Sequence, residues 1–149
     1  MSEKVELKSI MKGKKGLMMG VANERASAWG ITQKVEEAGE EGAFTYLGDA
    51  IKKRVIPLAE KLNSNVTFSC DVEKKEDVVK LFKDVKSSWG EIDFIVHAIA
   101  FSDKSELSGE YLNTTRENFQ RSMLISCFSF TEVAREASKI MKPNEIGRA

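Results

Sequence analysis

Gly16-Leu-Met-Met-Gly20-Val-Ala-Asn-Glu-Arg-Ala-Ser-Ala-Trp-Gly30 decides the fold, because it joins a short apolar run to a long loop that feeds a helix. Gly16–Gly20 is predicted to be a first strand closed by glycine. The helix predicted after the loop spans Ala28–Ala38 and is ended by Gly39. Short, nearly continuous apolar runs are typical of strands buried on both faces of a parallel sheet.

The same alternation continues along the chain. Further strands are predicted at Ala43–Leu47, Val66–Cys70 and Asp93–Ala98, and further helices at Ile51–Leu62, Val78–Ser88 and about Glu117–Met141. We expect Pro57 to kink or shorten the second helix. Strand–helix alternation predicts an α/β fold, a Rossmann-like doubly wound parallel sheet with strand order 3-2-1-4. The prediction is one incomplete dinucleotide-binding domain over residues 1–149, truncated after the fourth strand and the following long helix.

Composition narrows the class of protein. The 23 basic and 23 acidic side chains cancel, so there is no electrostatic footprint for nucleic acid. The charged N-terminus does not resemble a signal peptide, and no apolar run has the length of a membrane span. We therefore expect a cytoplasmic protein. A single histidine and the lack of a C-x-x-C pair argue against a metal site, and Cys70 and Cys127 are predicted to be buried free thiols.

The loop after the first strand is a candidate nucleotide site. Ligands of such sheets bind beyond the C-terminal strand ends, where the strand order reverses. Gly20 permits a tight turn, Ser27 is a candidate N-cap, and a helix N-terminus suits a pyrophosphate. The G-x-G-x-x-G fingerprint is absent, so an ordinary strand-to-helix loop is the alternative.

Two further polar residues allow two interpretations each. Asp71, at the end of the third strand, could accept a hydrogen bond from an adenine amino group or could be a turn residue. His97, in the fourth strand, is more typical of a satisfied core residue than of a catalyst.

Six motifs together resemble the divergent short-chain dehydrogenases that reduce enoyl-acyl carrier proteins. They run in the family's order from about Met11 to Pro143: Gly20-Val-Ala-Asn23, Ala28-Trp-Gly30, Ala43-Phe-Thr-Tyr46, Cys70-Asp-Val72, Val96-His-Ala-Ile-Ala-Phe101 and Ile125-Ser-Cys-Phe-Ser-Phe130. In this resemblance, the long loop from Gly20 to Gly30 is the group's variant of the Rossmann fingerprint.

The resemblance implies a homotetrameric enzyme of bacterial-type fatty-acid synthesis. NADH would give hydride to the β-carbon of a trans-2-enoyl-acyl carrier protein. A tyrosine would stabilise the enolate, and a lysine would bind the nicotinamide ribose and support that tyrosine.

The resemblance also implies roles for individual residues. Gly20 and the Ala26–Ser27 pair would lie along the pyrophosphate, and Leu47 near the adenosine ribose. Asp71 and Val72 would hold the adenine. The remaining contacts would come from Ala98, Ile99 and Ala100 beside the ribose and nicotinamide, Ile125 behind the cofactor, and Ser102 at a substrate position.

Three positions depart from the family pattern. A serine followed by a bulky apolar residue is usual where this chain has Ala26 and Ser27. Gln is usual at Leu47, and Asp is common at Leu124. A lost hydrogen bond to a charged partner costs roughly 1.5–3 kcal/mol, so these changes would weaken NADH binding.

No catalytic residue is predicted within this sequence. The family's Tyr-x6-Lys lies beyond the long helix and a further strand. Tyr46-x6-Lys53 has the spacing but starts on the adenosine side, and Tyr111 has no lysine four or seven residues later. We therefore expect the chain to be inactive alone.

Three hypotheses follow. The chain is a truncated enoyl reductase, a non-catalytic or decayed NAD-binding module, or another short-chain dehydrogenase whose Lys52, Lys53 and Arg54 meet the 2′-phosphate of NADPH. The first is preferred, with NADH as cofactor.

The missing fifth strand generates a stability prediction. An apolar strand edge without a partner favours aggregation or pairing with another chain. We expect the chain, expressed alone, to be marginally stable or to associate, measured by thermal melting and sedimentation. A monomer with a cooperative, high-temperature melt would contradict this.

Overall fold

The computed structural model describes residues 10–142, and its centre is a four-stranded parallel sheet. The strands are β1 (Lys15–Met19), β2 (Glu41–Tyr46), β3 (Thr67–Ser69) and β4 (Phe94–His97), in the order β3-β2-β1-β4. Helices α1 (Ser27–Glu37), α2 (Gly48–Lys61) and α3 (Lys75–Ser88) connect them. The predicted fold class and strand order are confirmed.

Alternate residues of β1 supply the two sides of the core. Leu17 and Met19 face one cluster with α3, whereas Met18 faces a second cluster with α1 and α2, as the two-residue period of a strand requires. Both clusters are closed to solvent, and Phe44 of β2 is fully buried in the second. The sheet is therefore covered on both faces, which explains why its strands are apolar throughout.

Of the two effects expected of Pro57, a kink or a shorter helix, the shortening does not occur. The helix continues past it to Lys61. A proline inside a helix removes one backbone hydrogen bond and costs about 3 kcal/mol. Burial of Val55, Leu58 and Ala59 on the same helix face offsets that cost, since these three side chains pack against the sheet.

The long helix predicted over about Glu117–Met141 is present as one continuous helical stretch over residues 116–137, but it is not α-helical throughout and ends earlier than predicted. The structure has α4 (Arg116–Met123), a π-helical segment (Leu124–Phe128) and α5 (Ser129–Ala137). Ser129 lies where the π-helical segment meets α5, and its hydroxyl donates to the Ile125 carbonyl oxygen (2.7 Å) while contacting His97 Nε2 (2.8 Å). These bonds attach the irregular turn to β4.

The chain returns to the sheet after α5. Ile92 and Met141 form an isolated parallel bridge, in which the Ile92 N–H donates to Ile140 and the Lys142 N–H donates to Ile92 (both 3.2 Å). This bridge lies just before the predicted fourth strand, Asp93–Ala98, so it does not pair the edge of that strand. Beside Phe94–His97 themselves, no further strand pairs among residues 10–142.

Asp93 fixes this end of the sheet. Its buried carboxylate accepts the Lys15 N–H at 2.8 Å and the Lys142 ammonium at 3.0 Å, and Lys14 lies 3.5 Å away. Burial acts to raise the pKa of Asp93, but the hydrogen bonds from Lys15 and Lys142 and the charges of Lys142 and Lys14 bring it below its ordinary value. This network couples β1, β4 and the segment after α5.

The two thiols differ. Cys70 is buried as predicted, and burial, with the charges of Asp77 and Asp71, raises its pKa to about 12. The prediction that Cys127 is buried is wrong: it is exposed, because the π-helical segment turns it away from the core.

Glu40 carries a buried carboxyl group between α1 and β2. It is 8% exposed, and its Oε2 has no hydrogen-bond partner among the described residues. Burial, together with the charges of Glu36 and Glu41, raises the pKa of Glu40 to about 7. Because the folded state favours the protonated form, the stability of the protein should fall as the pH rises from 4.5 through about 7.

We predict that Glu40→Gln stabilises the protein at pH 8 by roughly 2 kcal/mol, after allowance for partial solvent screening, and has little effect near pH 5. Glutamine keeps the shape of the side chain but cannot ionise. Urea denaturation at both pH values measures the difference, with Glu60→Gln as an exposed control. An equal effect of Glu40→Gln at the two pH values would contradict the prediction.

Candidate functional site

A cleft with a volume of about 370 Å³ opens at the C-terminal ends of the four strands. Its lining comes from the turns after β1, β2, β3 and β4 and from α4 and the π-helical segment that follows it. The contributing residues are Gly20, Val21, Ala22, Thr45, Tyr46, Leu47, Ile51, Cys70, Asp71, Val72, Glu73, Ala98, Ile99, Ala100, Phe101, Arg121 and Ile125.

The centre of the cleft is the point where the chain leaves β1 and β4 side by side. The Ala98 N–H donates to the Met19 carbonyl oxygen at 2.9 Å, which brings Gly20 against Ala98. Gly20 has a φ of +104°, and a Cβ built there would lie 2.0 Å from the Ala98 carbonyl oxygen. Only glycine fits, so backbone rather than side chain forms this wall.

Asp71 forms the turn after β3. Its Oδ1 accepts the Glu73 N–H at 3.0 Å, and its Oδ2 lies 3.3 Å from Lys74 Nζ. The turn interpretation of Asp71 is confirmed. Asp71 also lines the cleft, so the hydrogen bond that shapes the turn fixes the carboxylate at the cleft wall.

The helix after the glycine loop begins without a side-chain cap. The N-cap is Ala26, which has an extended backbone, and Ser27 is the first helical residue. The prediction that Ser27 is the N-cap is therefore wrong, because the helix starts one residue earlier than the apolar pattern indicates. With no side chain bonded to it, this end keeps N–H groups and a positive dipole end for an anion.

The cleft is mainly apolar, with three charged residues in its lining: Asp71, Glu73 and Arg121. The guanidinium of Arg121 donates to both carboxylate oxygens of Glu73, from Nε at 2.8 Å and Nη2 at 2.9 Å. The hydrogen bond from Arg121 lowers the pKa of Glu73 below its ordinary value against the opposing effect of burial, and the charges of Arg121 and Lys74 add to the lowering. An apolar slot with few, fixed polar groups is typical of a cofactor site.

The family model described as enoyl-(acyl carrier protein) reductase matches residues 20–149. The chain belongs to this family. It is 52% identical over 135 residues to enoyl-[acyl-carrier-protein] reductase [NADH] 2 of Rhizobium meliloti, covering 91% of this chain and 50% of that protein. The chain thus spans about half the length of the curated relatives it matches.

Solved structures agree with the family and the fold. The FabI structure from Candidatus Liberibacter asiaticus matches with a TM-score of 0.85 at 49% identity, covering 89% of this chain and 51% of that one. The enoyl reductase of Anaplasma phagocytophilum, solved in complex with NAD, matches with a TM-score of 0.84 at 50% identity and with the same coverage.

Most residues that the family resemblance implies meet in the cleft. Eight of the ten implied cofactor contacts line it: Gly20, Leu47, Asp71, Val72, Ala98, Ile99, Ala100 and Ile125. Ala26 and Ser27 lie outside the lining, at the start of α1. The implied substrate residue Ser102 is also outside the lining, and its hydroxyl accepts a hydrogen bond from Asn118 Nδ2 at 3.1 Å.

His97 lies beside the cleft rather than in its lining. Its Nε2 is 2.8 Å from the Ser129 hydroxyl, and burial lowers the pKa of His97 despite an opposing backbone hydrogen bond. The interpretation of His97 as a satisfied structural residue is confirmed.

The basic residues after β2 do not line the cleft. Lys53 and Arg54 line a separate depression on the outside of α2, with Arg25 and Lys61. Tyr46 lines the cleft, and Lys52 Nζ lies 5.6 Å from the centre of its ring. Of the three basic residues in the NADPH hypothesis, Lys52 is thus the one with a contact to a cleft residue.

Sequence reasoning missed several residues of the cleft, among them the charged pair Glu73 and Arg121. Glu73 and Arg121 are 48 positions apart, and one sequence holds no signal that pairs them. Tyr46, which belongs to the Ala43–Tyr46 motif and is rejected as a catalyst, also lines the cleft. Among residues 10–142 no cluster of three potential metal ligands occurs, and no helix there is long and apolar enough to cross a bilayer.

We predict that Gly20→Ala destabilises the protein by at least about 2 kcal/mol more than Gly13→Ala. Both glycines have positive φ, but a Cβ at Gly13 meets nothing within 4 Å, so the difference isolates the collision with Ala98. Urea denaturation of both variants measures it. Equal destabilisation would show that backbone conformation alone, and not close approach, requires Gly20.

Proposed function

We propose that this chain is the dinucleotide-binding half of an NADH-dependent enoyl-[acyl-carrier-protein] reductase. The observation that carries the proposal is the convergence of the turns after all four strands on one apolar cleft, where the strand order reverses. The family membership and the names of the relatives support NADH as the cofactor and a trans-2-enoyl-acyl carrier protein as the substrate, in type II fatty-acid biosynthesis.

The described residues fit the two ends of a dinucleotide. The wall formed by Gly20 lets a pyrophosphate approach backbone and the uncapped start of α1, at Ala26 and Ser27. Asp71 and Val72 hold the adenine, and the apolar Leu47 lies near its ribose. Ala98, Ile99 and Ala100 run beside the nicotinamide half, with Ile125 behind it.

The proposed reaction requires two tasks, binding of the cofactor and transfer of a proton. The chemistry that NADH would supply when bound is hydride for the β-carbon of the enoyl thioester. The described residues bind and orient NADH, exclude water with an apolar lining, and leave the substrate side open next to Ser102. The sequence holds no Tyr-x6-Lys on the nicotinamide side, so we propose that residues 1–149 bind NADH without reducing the substrate. The working enzyme is proposed to be a cytoplasmic homotetramer.

We predict that the chain binds NADH and that Ala100→Trp weakens this binding at least about tenfold, because an indole in a 370 Å³ cleft occupies the cofactor's volume. Ala100 is exposed on the cleft wall, and Ala134→Trp places the same ring on an exposed position of α5 outside the cleft. NADH fluorescence titration measures both affinities.

The outcomes separate the hypotheses. Equal weakening by both variants, or no binding by the unaltered chain, would count against the proposed site. Tighter calorimetric binding of NADPH than of NADH would favour the alternative in which Lys52, Lys53 and Arg54 meet a 2′-phosphate. Oxidation of NADH by the chain in the presence of crotonyl thioester would contradict the proposal that residues 1–149 bind NADH without reducing the substrate. Binding of NADH without oxidation supports that proposal, and it is also what the non-catalytic module would show.

A further inference from the structure

Arg121 joins two walls of the cleft. It lies on α4 and reaches the turn after β3, where its guanidinium binds Glu73 through two parallel hydrogen bonds of 2.8 and 2.9 Å. Its Nη1 donates to Asp103 Oδ1 at 3.2 Å, and its guanidinium carbon lies 4.3 Å from the centre of the Phe101 ring. Contact with an aromatic ring and a bidentate hydrogen bond to a carboxylate fix the orientation of an arginine side chain.

The surrounding residues hold the helix that carries Arg121. The buried Asn118, one turn earlier on α4, accepts the Asp103 N–H at 2.8 Å and donates to Glu106 at 2.8 Å. The loop after β4 is therefore attached to α4, and Arg121 extends from this unit to the opposite wall. The ion pair therefore joins two elements that line the cleft, and both of its side chains remain partly exposed to solvent.

Of the two residues in this ion pair, Glu73 is the one whose charge bears on cofactor binding. Its carboxylate lines the cleft proposed to hold a dinucleotide with two phosphate charges. Two like charges about 8 Å apart at an intermediate effective dielectric repel by about 1 kcal/mol, which corresponds to roughly a fivefold change in affinity. An unpaired Glu73 would therefore oppose binding of the anionic cofactor.

We propose that Arg121 is a positioning residue of the cofactor site, one that neutralises the Glu73 carboxylate and so makes this wall of the cleft compatible with an anionic dinucleotide. The inference rests on the proposed function, because it takes NADH as the ligand. Arg121 acts through Glu73 and does not need to touch the cofactor.

The test is a double-mutant cycle on NADH binding by the full chain. Arg121→Gln should weaken NADH binding about five- to tenfold at low ionic strength and by less at about 0.5 M salt, since salt screens the exposed carboxylate. Glu73→Gln should not weaken binding. The Arg121→Gln, Glu73→Gln double variant should recover most of the lost affinity, which a direct contact between Arg121 and NADH would not allow.

Controls separate this role from a loss of stability. Arg116→Gln removes the same charge from an exposed position on the same helix, outside the cleft, and should leave the affinity unchanged. In the ligand-free chain, NMR titration of the Glu73 carboxyl group should show that Arg121→Gln raises the pKa of Glu73 towards its ordinary value, because the largest influence on that pKa is the hydrogen bond from Arg121.

Three results would overturn the inference: normal binding by the Arg121→Gln variant, a double variant as weak as Arg121→Gln alone, or an unchanged Glu73 titration. Failure of the unaltered chain to bind NADH would instead overturn the proposed function. The Glu73 titration needs no ligand, so it would still decide whether Arg121 neutralises that carboxylate.

Discussion

The contact between Gly20 and Ala98 is the constraint on which the rest of the site depends. β1 and β4 are neighbours in the sheet. Because the Ala98 carbonyl oxygen occupies the space where a Cβ of residue 20 would lie, the two backbones can approach this closely only if residue 20 has no side chain. This close approach places backbone rather than side chains along the centre of the cleft.

The parts of the fold that follow from local chemistry could be predicted from the sequence. Apolar runs located the four strands, and the right-handed crossover rule converted their sequence into the observed order. Errors arose where tertiary contacts outweighed local preference. Pro57 is tolerated because the neighbouring residues of α2 are buried, and the helix after Thr115 contains a π-helical turn where Ser129 bonds to Ile125 and His97. A periodic pattern does not encode a bond between a helix and a distant strand.

The residues of the candidate site also fall into those that could be predicted from the sequence and those that could not. Residues that the backbone places at strand ends, such as Asp71 and Ile99, could be predicted because parallel strands end at one edge. Side chains that reach the cleft from elsewhere could not. Arg121 comes from α4, and its partner Glu73 from the opposite wall, so their proximity exists only after the fold has formed. Ala26 and Ser27 were predicted as contacts but lie outside the lining, at the uncapped helix end.

Charged residues have different roles at the two ends of the sheet. This difference bears on how cofactor binding can be separated from the catalytic step. At the N-terminal end, the buried Asp93 is paired with lysines and couples β1 to β4, whereas Oε2 of the buried Glu40 has no hydrogen-bond partner among the described residues. At the C-terminal end the carboxylates of Asp71 and Glu73 have partners and the lining is apolar, so the cleft can hold a ligand without first breaking a buried ion pair. Among residues 10–142, the side chains that accept the hydrogen bonds shaping the turns after β1 and β3 are Asn23, Asp71 and Asp77. A cofactor-binding surface organised in this way does not require the catalytic pair to form, and the proposed function therefore assigns binding, rather than turnover, to the described residues.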